Sequence, residues 1–237
     1  MRHAGLDGHR AARPADPVAA VTRAARVVAV SPERLPGWVE RFAQRHGQLA
    51  WDAAGDCLAV TGADGARADF LLPAAPDGSP PSSLDQLVAA ADALRDFGLV
   101  LVRRGGYAVG LVRDATLVGS RCGTRYVQGQ TKAGGWSQQR FARRRANQAD
   151  ALTDAASQAV RDVLGEALRG QHLRLVCGGD QPLLTACLRT AGAGLSVPDL
   201  TALVLAHRLD VPDPRRKVLE EAVQRARAVR VRLNDLA

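Results

Sequence analysis

Leu99-Val-Leu-Val-Arg-Arg-Gly-Gly-Tyr-Ala-Val-Gly-Leu-Val-Arg-Asp-Ala-Thr-Leu-Val118 is the stretch on which the fold class turns. Leu99 to Val102 is a continuous apolar run of strand length, the signature of a buried strand. Gly105-Gly106 stops it. Tyr107–Val112 and Thr116–Val118 read as the next two strands, joined by a turn at Arg113-Asp114. Upstream, Arg26–Val30 reads as a strand. Ser31-Pro-Glu-Arg34 then supplies an N-cap, a first-turn proline and an early acid, which predicts a helix to about His46. Gln48–Trp51, Cys57–Thr61 and Ala68–Leu72 read as three short strands separated by Ala-Gly-Asp and Ala-Asp-Gly turns. A Pro-rich linker follows over Pro73–Pro81. Ser83 is placed to cap a helix through Arg95, with Leu84, Leu87, Val88, Ala91 and Leu94 on one stripe.

Downstream, an extended segment is expected near Thr124–Gln128, then a loop over Gly129–Ser137. A long helix is expected from about Gln139 to Leu168. His172–Cys177 reads as one more strand, and Gly178–Pro182 turns it into a helix. From about Val197 the chain reads as helices punctuated by Pro212 and Pro214. Interleaved strands and helices, with hairpins in the middle, predict an α/β domain with a mixed β-sheet and packed helices. The expected organisation is a flexible tail over 1–22, a domain over 23–191 and a C-terminal helical segment over 192–237.

Composition narrows the function classes. No apolar run approaches the length of a membrane span. The first residues lack the continuous apolar stretch of a signal peptide. The expected location is therefore the cytoplasm, with no membrane partner and a monomeric chain. The formal charge is +8, which points toward a polyanion. Of 32 basic residues only Lys132 and Lys217 are lysine, so the position of the arginines says more than their number. Cys57, Cys122, Cys177 and Cys187 have no zinc or redox spacing. The five histidines are scattered. Neither a metal nor a cofactor is expected.

The positions of the charges are informative. Between Ala115 and Ala149 there is no acidic residue, yet the stretch holds Arg121, Arg125, Lys132, Arg140, Arg143, Arg144 and Arg145. A one-sign segment repels itself unless an anion neutralises it. At helical spacing Arg140, Arg143, Arg144 and Asn147 share one face, and Leu152, Ala156, Val160, Val163 and Ala167 lie roughly opposite. The basic face then looks outward, as a phosphate-tracking surface does. Just before it lies Lys132-Ala-Gly-Gly-Trp-Ser-Gln-Gln139. Gly134-Gly135 allows close approach to another backbone, and Trp136 can stack on a base. Glutamine does not titrate in the working range, so Gln138 or Gln139 cannot be a general base. Either can orient a water or, through its backbone N–H, stabilise an oxyanion.

The stretch Gly123-Thr-Arg-Tyr-Val-Gln…Lys132-Ala-Gly-Gly-Trp-Ser-Gln-Gln-Arg-Phe-Ala-Arg-Arg-Arg-Ala-Asn147 resembles the glutamine-loop region of the Vms-like release factors, in particular their actinobacterial branch. That family is similar to the catalytic domain of eukaryotic peptide-chain release factors, whose loop carries Gly-Gly-Gln. The resemblance is carried by about 25 residues. The order of strands and helices extends it from about Arg23 to Ala191. It implies a release-factor type of mixed α/β domain and hydrolysis of peptidyl-tRNA on the large ribosomal subunit during rescue of stalled translation. It implies catalytic roles for Gly134, Gly135 and a glutamine, and contacts to ribosomal RNA or tRNA from Arg125, Lys132, Trp136, Arg140, Arg143, Arg144 and Arg145. This sequence departs from Gly-Gly-Gln by inserting Trp136-Ser137. Gln138, nearer the glycines and less held by the helix, is favoured over Gln139.

Three other readings compete. A non-catalytic ribosome- or RNA-binding factor would use the same basic face. A serine hydrolase with Ser137 as nucleophile lacks the closing glycine of a G-x-S-x-G elbow. A Cys122 nucleophile has no histidine near it in sequence. Asp180 in Gly178-Gly-Asp180 is expected to be a helix N-cap rather than part of a phosphate loop.

Overall fold

A computed structural model describes residues 26–54, 57–74, 81–124, 136–170, 173–197 and 199–237; the side chains of 54, 136–142 and 145 lie outside that description. The first sheet is antiparallel throughout. Its strands are β1 (Arg26–Val30), β2 (Ala50–Ala54), β3 (Cys57–Thr61), β4 (Arg67–Leu71) and, from the far end of the chain, β9 (Val229–Leu233), in the order β1-β9-β4-β3-β2. The second sheet holds β5 (Phe97–Arg103), β6 (Gly106–Arg113), β7 (Thr116–Thr124) and β8 (Arg174–Gly179), in the order β7-β6-β5-β8. It is mixed, because β5 runs antiparallel to β6 but parallel to β8. The α/β expectation holds, with the mixed sheet as one of two.

The first sheet alternates by strand period. Leu58, Val60, Ala68, Phe70, Val229, Val231 and Leu233 turn to one face and pack under helices α1 (Leu35–His46) and α2 (Leu84–Asp92). The opposite face carries Arg67, Asp69 and Arg232, with Arg67 2.9 Å and Arg232 3.5 Å from Asp69. The second sheet is covered on both faces, so β5 reads as an apolar run rather than an alternation. Val100 and Val102 face the long helix α3 (Trp136–Arg169) and α4 (Gln181–Leu195). Leu99 and Leu101 face α5 (Arg216–Arg227) and the segment around Leu205–Val211.

Local signals explain the boundaries. Ser83 Oγ accepts from the Gln86 N–H at 3.3 Å and Asp180 Oδ1 from the Leu183 N–H at 3.4 Å, so both expected N-caps are present. Ser31 makes no side-chain cap; a 3-10 turn, Pro32–Arg34, carries the chain into α1. Gly179 has φ +101°, and a Cβ there would lie 2.1 Å from the Val102 carbonyl oxygen. Only glycine allows that approach of β8 to β5. The Asp180 N–H donates to the same carbonyl at 2.8 Å and fixes the start of α4.

The expectation of a helical segment over 192–237 is corrected. Its final strand, β9, lies between β1 and β4, so the end of the chain completes the first sheet. Val229-Arg-Val-Arg-Leu233 is an apolar/basic alternation of period two. Only Ala228 separates it from α5, and the helical pattern before it hides the change of period. A buried arginine joins the layers where helix gives way to strand. Arg227, 4% exposed, pairs with Asp92 at the end of α2 (2.6 Å) and with Glu33 (3.2 Å). Both carboxylates reach solvent, so removing them would leave the guanidinium buried without compensation, which costs more than removing the whole ion pair.

Val231→Ala is expected to cost on the order of 2 kcal/mol, since Val231 is fully buried. Val27→Ala on the neighbouring strand, 53% exposed, is expected to stay within about 0.5 kcal/mol. Urea denaturation of the two variants checks this; equal effects would mean that β9 is not a core strand.

Candidate functional site

The sequence-predicted site lies where β7 hands over to α3. Thr124, the last residue of β7, pairs with Gly106, and Gly106 with Arg103, the last residue of β5. A Cβ on Gly123 would lie 2.6 Å from the ring of Tyr107. Glycine at that position thus lets the buried Tyr107 lie across the end of β7. Arg125, Lys132, Gly134 and Gly135, the expected flexible tail, and all but Thr124 of the expected extended segment lie outside the described residues.

From that end of the sheet α3 runs against the direction of β5. It must do so, because it ends at Arg169 and β8 then starts at Arg174 opposite Phe97, the first residue of β5. Leu164 covers Gly98, the second residue of β5. From Gly98 to the strand's end at Arg103 is about 17 Å, which about eleven helical residues span. The sheet therefore runs out near Leu152. Burial agrees: Leu152, Ala156, Ala159, Val160, Leu164 and Leu168 are buried, whereas Arg143, Arg144, Ala146, Asn147, Asp150 and Ala151 are exposed. Residues 136–151 form a stem about 24 Å long that extends past the sheet.

The expected division of faces is present in the described part. Leu152, Ala156 and Val160 are fully buried, and Val163 and Ala167 pack against the same cluster. Arg143 and Arg144 are exposed, and neither forms an ion pair with a described residue. Arg121 behaves differently. It pairs with Asp162 on α3 and ties β7 to the helix base, so it is not part of a free basic surface. For Arg140 and Arg145 the backbone is helical, and their side chains lie outside the description.

The helix starts at Trp136, three residues earlier than expected. Ser137 is therefore inside the helix rather than at the end of the loop before it. Gln138 and Gln139 both sit in the first turn, so lesser restraint by the helix no longer separates them. Nearness to Gly134-Gly135 remains the ground for Gln138. A first helical turn also has backbone N–H groups without intrahelical partners, at the positive end of the helix dipole.

The other candidate nucleophiles are poorly activated. Burial pushes the Cys177 thiol up to about 12 and the Cys187 thiol up to about 11. Cys122 is exposed on β7, and its thiol is also raised, chiefly by desolvation and against the effect of Arg216. A raised thiol is a weaker nucleophile at neutral pH. Near Gly179, a shallow cleft of about 350 Å³ mixes Arg103 and Arg104 with Asp180, Asp210 and Asp213. Its opposed charges suit internal pairing better than a polyanion. No group of three or more potential metal ligands occurs among the described residues. No described helix is long and apolar enough to cross a membrane.

Thiol labelling of the native protein at neutral pH is expected to spare Cys177 and Cys187 completely and to reach them only on unfolding. Fast native labelling of either would contradict their burial in the core.

Comparison with known proteins follows the same part of the chain. No curated protein matches the sequence. Among solved structures the chain is similar to the ethanolamine utilization protein EutJ from Carboxydothermus hydrogenoformans, at 11% identity and a TM-score of 0.27. That match covers 63% of this chain and 62% of the other, and nothing is argued from so low a score. The family model described as Actinobacteria/chloroflexi VLRF1 release factor matches residues 95–232. The match leaves out β1 to β4, which the sequence resemblance included, and takes in α5 and most of β9. It spans the second sheet, the stem and the helices that hold the stem. By this match over more than half its length, the chain belongs to the Actinobacteria/chloroflexi VLRF1 release factor family.

Proposed function

We propose that the protein hydrolyses peptidyl-tRNA held by the large ribosomal subunit, in rescue of stalled translation, with a glutamine of its loop positioning the water. Family membership gives the coarser statement, a release-factor-like role in translation. The observation that carries the finer one is the stem. A basic helix, free of acids up to Asp150, projects about 24 Å beyond its sheet, and the Gly-Gly-Trp-Ser-Gln-Gln segment leads into its free end. A rod of that shape can enter a narrow site built by RNA. A globular surface with a pocket could not.

The chemistry asked of the protein is small. Water attacks the ester carbonyl, the bond to the tRNA 3′ oxygen breaks, and the proton from water ends on that oxygen as the hydroxyl of free tRNA. RNA holds the ester. Gln138 or Gln139 orients the water through its side-chain carbonyl or donates to the oxyanion through its N–H groups. The open N–H groups of the first turn favour negative charge at the same place. Gly134 and Gly135 let the loop approach closely. Adjacent helix positions are about 100° apart around the axis, so a single glutamine carries the role. Arg140, Arg143, Arg144, Arg145, Arg125 and Lys132 contact RNA phosphates along the path in, and Trp136 stacks on a base. Neither cofactor nor metal is required.

The test is release of labelled peptide from stalled ribosomal complexes by wild type, Gln138→Ala and Gln139→Ala. One variant is expected to lose at least about a hundredfold in rate while keeping ribosome binding. In the same preparation Arg143→Glu with Arg144→Glu should weaken ribosome association and reduce its salt dependence by about one contact per arginine, with stability unchanged within about 0.5 kcal/mol. Tight binding without release by wild type would replace the hydrolase by a non-catalytic ribosome-binding factor.

A further inference from the structure

The stem is a lever, and its fulcrum lies at one point of the second sheet. Residues 136–151 project about 24 Å beyond the sheet, so a tilt of about 10° where α3 leaves the sheet moves the free end by about 4 Å. Misplacing a reacting group by about 1 Å can cost about a hundredfold in rate. The residue that packs under α3 at that point therefore sets where the glutamines stand.

Tyr107 packs there. It pairs with Val102 of β5 on one side and with Gly123 of β7 on the other, in a row that faces α3. Only the row of Arg103, Gly106 and Thr124 lies beyond it before the strands end. Along β7, Val163 lies over Gly119, 3.9 Å from where a Cβ would stand. Four residues further up the strand are about 13 Å, or about nine residues back along α3. That puts Gly123 under α3 between Leu152 and Ala156, where the helix leaves the sheet. Tyr107 is 7% exposed, and it is the only aromatic residue among the described members of the core cluster beneath α3. Its ring fills the place of the side chain that Gly123 lacks. A Cβ on Gly123 would lie 2.6 Å from two ring carbons and 2.7 Å from the hydroxyl oxygen. Gly106 closes the same corner, since a Cβ on it would lie 2.5 Å from the Gly123 carbonyl oxygen. β7 is an edge strand with β6 as its one neighbour in the sheet, so the ring is what covers its last glycine. The Tyr107 hydroxyl has no hydrogen-bond partner among the described residues, so the ring and not the hydroxyl makes the contact that matters.

We propose that Tyr107 is a positioning residue: its ring locks the end of β7 to the base of the stem, fixes the direction of α3, and through it holds the glutamine in place against the ester. The hold on the stem follows from packing alone. Its effect on catalysis rests on the hydrolase reading.

Two measurements on the full chain test it. Nitroxide labels on cysteines placed at Arg143 of the stem and Gln224 of α5, both exposed, report the direction of the stem by pulsed electron spin resonance. Cys57 and Cys122 are replaced by alanine for this purpose, and Cys177 and Cys187 are buried. Wild type and Tyr107→Phe are expected to give one narrow distance, and Tyr107→Leu a distribution broadened by about 2 Å. In peptide release on saturating stalled complexes, Tyr107→Leu is expected to lose at least about tenfold in kcat with ribosome binding unchanged, while Tyr107→Phe keeps the wild-type kcat. Val223→Ala, buried in the cluster on the other face of the sheet, is a destabilised control expected to keep both kcat and distance. Should Tyr107→Leu not fold, Gly123→Ala, which drives a Cβ into the ring, is expected to give the same broadening and the same loss. Wild-type kcat or an unbroadened distance in Tyr107→Leu overturns the proposal, as does an equal loss in Val223→Ala. Absence of release by wild type would sink the hydrolase reading alone, and the label distances would still decide whether Tyr107 holds the stem.

Discussion

A helix longer than the sheet that supports it is the constraint from which the rest of this structure follows. Trp136–Arg169 is 34 residues, about 51 Å of helix, laid on strands of 7 to 9 residues, about 23 to 30 Å. Its lower half is pinned by Leu152, Ala156, Val160, Leu164 and Leu168 in the core and by the Arg121–Asp162 pair. Its upper half has no sheet left to cover and must stand in solvent. A helix there gains little from packing and must rest on propensity and charge. The sequence fills it with Arg and Ala and leaves acids out until Asp150. Such a helix is stabilised by an anionic surrounding, which a ribosome offers.

Projecting a loop usefully requires a stiff base. The parallel pairing of β5 with β8, closed by the contact of Gly179 on Val102, sets where α3 must end and hence its direction. Helices α4 and α5 sandwich the same sheet from either side. The return of the chain as β9 into the first sheet, with Arg227 bridging to Asp92 and Glu33, joins the stem-bearing half to the N-terminal half. The first sheet thereby becomes part of the same framework.

Much of this is legible in the residues. Strong local signals mark β1 and β3 at their observed limits, the caps Ser83 and Asp180, the buried run of β5, and the apolar stripe of α3. Two features are not legible, for different physical reasons. The β9 strand follows α5 with one intervening residue, so its period of two is swamped by the helix before it. The start of α3 at Trp136 has no cap signature that sequence alone could weigh against the glycines before it. The roles of the loop residues come from resemblance and position, and stay a proposal.

Delivery of the loop turns on reach. Deleting residues 145–151 removes one arginine and one aspartate, leaves the net charge, Arg143, Arg144 and the buried part of α3 in place, and keeps the helix phase within about 20°. It shortens the stem by about 10 Å. Peptide release from stalled ribosomal complexes should then be abolished, with the denaturation midpoint close to wild type and ribosome association weakened by no more than the one phosphate contact of Arg145. Release at the wild-type rate from the shortened protein would show that the stem does not deliver the loop and would contradict the proposed mechanism.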